Sequence, residues 1–203
     1  FALQAETAFS VSAAATEYPN RIGIVAEDKN YTFRELNELV QKKIAGLTLP
    51  DIGRPYILTG SNTLETFITI YALFEKRIPI LFLHPNLTGK EKKDLLSLIE
   101  NIREPLPEGT AAVLFTSGTT GIPKPAILSY AALTASAFNI PLSEKDRWLM
   151  SISVSRIGGL SILTRSLMAR SAIVLASHFS AKTFVDVVDS KKVTLASIVP
   201  TML

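Results

Sequence analysis

The chain has 203 residues, 47% of them hydrophobic, enough to bury a substantial core in one or two domains. It has no cysteine and two histidines, which excludes disulfides and thiolate metal centres, leaves little material for zinc and fits a cytoplasmic setting. Net charge is +3, from 21 basic and 18 acidic residues without a long single-sign run, so neither a nucleic-acid footprint nor a membrane-surface patch is indicated.

The chain starts at Phe1 rather than methionine, as expected of a chain that begins inside a longer natural product or after a removed tag, and no signal peptide is visible. Apolar and small residues up to Tyr18-Pro19-Asn20 predict a helix that the proline ends. Ile22 to Glu27 reads as a strand, Asp28 to Asn30 as a turn, and Tyr31 to Phe33 as the return strand of a hairpin. Thr32 and Glu35 form a T-x-x-E capping box ahead of a helix with Leu36, Leu39, Val40, Ile44 and Leu47 on one face. Pro55 to Thr59 predicts a strand. Ser61 or Asn62 then caps a second amphipathic helix through Phe67, Ile68, Tyr71 and Phe74. Ile78 to Leu83 is another strand. Thr88 and Glu91 repeat the capping-box spacing before a helix whose first turn carries Lys90, Lys92 and Lys93, cations that oppose the helix dipole and read as exposed surface, with a phosphate or coenzyme contact as the alternative.

Arg103 to Gly109, with Pro105 and Pro107, reads as a linker and a subdomain junction. Beyond it, strands at Ala111 to Phe115, Ala126 to Ser129, Trp148 to Val154, Ser171 to Ala176 and Leu195 to Val199 alternate with helices at Tyr130 to Phe138, Gly158 to Met168 and Ala181 to Lys191. The longest apolar runs are of strand length, far short of the roughly 18 residues that span a bilayer. The fold class is therefore α/β, with mainly parallel pairing in the second half.

In such sheets ligands bind beyond the carboxyl ends of the strands. Three loops are expected on one sheet edge there: Thr116 to Gly121, Ser155 to Gly159, and Pro200-Thr201. The first carries the chemistry. Thr116, Ser117, Gly118, Thr119, Thr120 and Gly121 supply four hydroxyls and two glycines, donors and a pliable backbone suited to wrapping a phosphate chain, and Lys124 adds a point charge. A hairpin turn whose hydroxyls satisfy their own backbone is the plainer alternative. A Walker A loop fails because Pro123 replaces its second glycine and Pro125 its Ser/Thr, and because a proline at 125 biases Lys124 towards extended backbone. No G-x-G-x-x-G or G-x-S-x-G is present, and His84 and His178 stand outside any motif.

TSGTTGIPK, with Tyr31-Thr32-Phe33-x-Glu35-Leu36 upstream, resembles the signature segments of the acyl-adenylate-forming (AMP-binding) superfamily: acyl-CoA and aryl-CoA synthetases, luciferases and peptide-synthetase adenylation domains. Ile157 to Leu167 and Ser197 to Leu203 most resemble its o-succinylbenzoate–CoA ligase branch, of menaquinone biosynthesis. The resemblance implies an α/β fold of layered sheets with flanking helices, the N-terminal part of the large AMP-binding domain over 1–203, with a C-terminal remainder elsewhere in its own chain. It also implies ATP, Mg2+ and CoA as reactants with a small-molecule carboxylate, and no dedicated metal site in this stretch. Thr116 to Gly121 and Lys124 would hold the nucleotide phosphates, Lys124 as the catalytic clamp, while Arg156, Gly158 and Gly159 would meet the acyl substrate. A structural arginine and helix-start packing are the competing roles for Arg156 and the glycines. The sequence departs from the family at Pro125, in place of a glycine, and at Tyr130 and Arg156, where histidines are common. A degenerate nucleotide-binding module remains an alternative, and the 203 residues alone are expected to bind nucleotide weakly without turnover.

Overall fold

Side-chain alternation along the strands sorts this chain into layers. The computed structural model describes residues 7–26, 29–100, 104–116, 123–176 and 181–199. In order these form α1 (Val11–Glu17), β1 (Ile22–Ala26), β2 (Lys29–Thr32), α2 (Phe33–Ala45), β3 (Tyr56–Thr59), α3 (Leu64–Glu75), β4 (Ile80–Leu83) and α4 (Gly89–Glu100). They continue with β5 (Thr110–Thr116), β6 (Lys124–Ser129), α5 (Tyr130–Phe138), β7 (Arg147–Leu149), α6 (Ile157–Met168), β8 (Ala172–Leu175), α7 (Ala181–Lys191) and β9 (Leu195–Ala196).

The strands make two sheets. The first runs β2-β1-β8-β7-β9, with β1 and β2 antiparallel and the other pairs parallel. The second runs β3-β4-β5-β6, parallel as far as β5 and antiparallel at the edge strand β6. Ile24, Ala26, Ile173 and Leu175 of the first sheet, and Ile80, Phe82, Ala112 and Leu114 of the second, belong to one shared core. The alternate residues face outwards into satellite cores. Val25, Leu149 and Val174 pack with Phe184 and Val187 of α7, and Leu81, Leu83 and Val113 with Leu95, Leu96 and Ile99 of α4. Helices α3 and α6 fill the shared core between the sheets. Every residue of α3 from Thr66 to Phe74 is buried, which is why its sequence is apolar nearly all round.

The α/β class and the order of elements match the reading from sequence, and both capping boxes form. Thr32 Oγ1 accepts from the Glu35 N–H, while the Thr32 N–H donates to Glu35 Oε2 at 2.8 Å; Thr88 and Glu91 repeat the arrangement. Among the boundaries that differ, four are instructive. The return strand of the hairpin is Lys29–Thr32, because Phe33 opens α2 and is buried. The N-cap of α3 is Thr63, since Asn62 is engaged elsewhere. The strand expected over 148–154 ends at Leu149, and that expected over 195–199 is only Leu195–Ala196. Beyond Leu149, the Met150 N–H still bonds to Val174 O at 2.9 Å, but the next backbone groups are claimed by a side chain from the other sheet.

Candidate active site between the two sheets

A cavity of about 340 Å³ opens where strands from both sheets end. Phe82 and His84 come from the end of β4, Phe115 and Thr116 from the end of β5, and Ser155 and Arg156 from the segment joining β7 to α6. Asn86, Leu87, Glu91 and Leu95 close one wall, and Pro123 stands at the foot of β6. The expected cleft is therefore corrected in one respect: its loops do not share a sheet edge. β5 belongs to the second sheet and β7 to the first, and α5, which buries Tyr130 and Leu133 in the shared core, lies in the chain between β6 and β7.

Thr116 and Lys124 are paired across β5 and β6, and Thr116 Oγ1 donates to Lys124 O at 3.3 Å. Lys124 is thus the first residue of a strand, the extended geometry expected from the proline after it, and it is exposed. Ser117, Gly118, Thr119, Thr120 and Gly121 lie outside the described residues, as do His178, Pro200 and Thr201. Pro125, opposite Phe115, is tolerated because β6 is an edge strand that can lack a donor.

Arg156 is the N-cap residue of α6 and makes no side-chain capping bond. It is exposed and reaches the rim of the cavity. The two glycines after it are not equivalent. A Cβ on Gly159 would lie 2.2 Å from Ser153 O, so the close approach this glycine permits is to the chain's own backbone. A Cβ on Gly158 would meet only the Ile152 side chain, at 3.2 Å.

His84 is a cavity residue that no motif announced. Its signal was positional: it is the first residue past the carboxyl end of a buried strand. Its Nδ1 accepts the Asn86 N–H at 3.2 Å, which leaves Nε2 to carry the proton of the neutral ring. Burial first, and the Arg156 charge second, hold the His84 pKa below the usual imidazole range, so the ring is neutral at pH 7 beside a fixed cation. One wall thus offers a guanidinium and an uncharged donor, a pairing suited to a carboxylate or another small anion.

Residues 93–203 match the family model described as AMP-binding enzyme, more than half of the chain. The chain belongs to the AMP-binding enzyme family. A 2-succinylbenzoate–CoA ligase of Listeria monocytogenes is 31% identical over 91% of this chain and 48% of its own length. The ligase of that name from Bacillus velezensis is 30% identical over 91% of this chain and 47% of its own. The chain spans about half the length of these relatives. Among solved structures, o-succinylbenzoate coenzyme A synthetase from Bacillus subtilis in complex with ATP and magnesium superposes with a TM-score of 0.77 at 24% identity, covering 95% of this chain and 63% of that one. The N-terminal subdomain of Klebsiella oxytoca NpsA, in complex with 3-hydroxyanthranilyl-AMSN, gives 0.77 at 19% identity, covering 94% and 58%. Both likenesses establish the two-sheet fold.

Within the AMP-binding family, the tyrosine at 130 has a packing explanation. Its ring lies against Phe9 and Phe74 with the Arg77 guanidinium 4.4 Å from its centroid, and burial raises the pKa of its phenol. It is not among the residues that line the inter-sheet cavity. Among the described residues no group of three or more metal-ligating side chains forms, and no helix is long and apolar enough to cross a membrane.

Proposed function

We propose that this chain forms the N-terminal part of a cytoplasmic ATP-dependent carboxylate–CoA ligase, with o-succinylbenzoate as its carboxylate, acting in menaquinone biosynthesis. The observation that carries this reading is the inter-sheet cavity, which has the roots of the signature loop, Thr116 and Pro123, and the Arg156–His84 wall on its rim. The names of the relatives, at about 30% identity over 91% of the chain, support the same substrate.

In the proposed chemistry an oxygen of the substrate carboxylate attacks the α-phosphorus of ATP, and the bond to pyrophosphate breaks. The thiol of CoA then attacks the acyl carbon and AMP leaves. Mg2+ enters as the counter-ion of the nucleotide phosphates. This chain's share is orientation and charge. Lys124, the hydroxyls of Thr116, Ser117, Thr119 and Thr120, and the backbone at Gly118 and Gly121 would hold the β- and γ-phosphates so that the leaving group lies in line. Each charge-assisted contact contributes about 1.5–3 kcal/mol. Arg156, with neutral His84 beside it, would receive a second carboxylate of the substrate. Gly158 and Gly159 lie in the first turn of the helix that follows.

The test is carboxylate-dependent ATP–pyrophosphate exchange by the complete natural chain. Exchange with o-succinylbenzoate is expected, and Lys124→Ala lowers it roughly ten- to hundredfold. Nucleotide binding without exchange for any aryl or acyl carboxylate would replace the ligase by a degenerate binding module.

A further inference from the structure

The segment that presents Arg156 is held in place by an amide from the opposite sheet. Asn62, in the turn between β3 and α3, donates through Nδ2 to the carbonyls of Met150 at 3.2 Å and Ile152 at 3.1 Å. Its Oδ1 accepts the Val154 N–H at 3.0 Å. Three consecutive contacts thus bind one side chain to a stretch of backbone 88–92 residues away. An uncharged amide supplies two donors and an acceptor from one end, which is what this backbone demands once it has left the β-ladder.

The turn carrying Asn62 is in direct contact with the same segment. Ser153 Oγ donates to Gly60 O at 2.9 Å, and a Cβ on Gly60 would fall 2.7 Å from Ser155 Cβ and 2.9 Å from Ser155 N. No side chain fits between the two loops at that point. Ser155 and Arg156, the next residues after Val154, are those that line the cavity. The placement of the Arg156 backbone is therefore set by the second sheet, through Asn62, and not only by the strand that precedes it.

We propose that Asn62 is a positioning residue for carboxylate recognition, fixing the 150–156 segment so that Arg156 stands at the cavity rim. The inference rests on the role given to Arg156 under the ligase reading. Plain inter-sheet adhesion, its competitor, would change stability and the active fraction without choosing between substrates. Positioning through Arg156 has a narrower signature.

In the complete natural chain, Asn62→Ala is expected to raise the KM for the carboxylate about tenfold while the KM for ATP stays within about twofold. The Val154 amide should exchange its hydrogen faster, because its acceptor is gone. In an Arg156→Ala background the same substitution should add nothing to the carboxylate KM, since both changes remove one interaction. Asn62→Asp keeps the acceptor for Val154 but loses both donors, and carries the same KM expectation if Asn62→Ala lacks a cooperative thermal transition. An unchanged carboxylate KM, a loss confined to kcat, or additive effects of Asn62 and Arg156 would each overturn the proposal. A wild-type chain that exchanges no pyrophosphate strikes the ligase reading instead. The clamp is then judged by hydrogen exchange, and unchanged protection of Val154 in Asn62→Ala overturns it.

Discussion

Adjacent glycines can look alike in a sequence and differ in what a methyl group would meet. At Gly159 the added Cβ would lie 2.2 Å from Ser153 O, 2.5 Å from Ser153 C and 2.7 Å from Ile152 O. These are backbone atoms, so no rotamer change relieves the overlap and the start of α6 must separate from the 151–155 segment. At Gly158 the neighbour is the end of the Ile152 side chain, which can turn aside, and alanine gains helix propensity of up to about 1 kcal/mol. Gly159→Ala is therefore expected to lower unfolding stability by about 1–3 kcal/mol, whereas Gly158→Ala is neutral or mildly stabilising. Urea midpoints for the two variants check this, and equal midpoints would refute the asymmetry. The Gly158-Gly159 pair was legible as the start of a helix. Which glycine is pinned was not, because the pinning atoms follow a bend held by long-range contacts, those of Asn62 and the Ser153 Oγ bond to Gly60 O among them.

Elements are joined here by contacts whose partners lie far apart in the chain, and those junctions are where sequence periodicity loses its grip. Trp148 to Val154 alternates well enough to suggest a strand, yet the ladder stops because Asn62 takes the carbonyls of Met150 and Ile152. That engagement also moves the N-cap of α3 to Thr63, one step past the residues whose chemistry suits a cap equally well. Local signals read true where the partner is local, as in the capping boxes of α2 and α4. The tie between α1 and the turn after α6 had no such signal. Arg170, left-handed with φ 56° and nearly buried, donates to Thr7 O, Ala8 O and Leu167 O and forks onto both oxygens of Glu17. The Arg170 hydrogen bonds to the Glu17 carboxylate are the first cause that holds its pKa below the ordinary value, against an opposing effect of burial and with a lesser contribution from the guanidinium charge. A depressed carboxyl pKa contributes stability that is complete above the unfolded-state value, about 4.3, and lost as pH falls through the folded one. Glu17→Gln should therefore flatten the fall in melting temperature below about pH 4.5 relative to the parent chain. Parallel acid limbs in the two proteins would deny Glu17 that role.

At the scale of the molecule, the α/β class was readable from alternating strands and helices and the layered sheets from the family resemblance, but the order of strands within each sheet was not. Strand order is settled by which apolar faces meet across long separations: β8 inserts beside β1 although nearly 150 residues lie between them. The result is a central layer, α3 with α6, that both sheets need in order to bury their inner faces. Leu73, fully buried in α3, belongs to that layer, and the chain's single tryptophan, Trp148, sits in β7 of the first sheet. If the two sheets share one core, loosening α3 must be felt at Trp148. Leu73→Ala should cost about 2–5 kcal/mol, and tryptophan fluorescence and far-ultraviolet circular dichroism should still report one coincident, shifted transition. The same cooperativity is what lets Asn62 in one sheet govern a loop of the other, since the clamp holds only while both sheets keep their places on α3 and α6. Separation of the fluorescence and dichroism midpoints in Leu73→Ala would show the sheets unfolding independently, and the inter-sheet cavity would then be a joint between two bodies rather than a cleft in one.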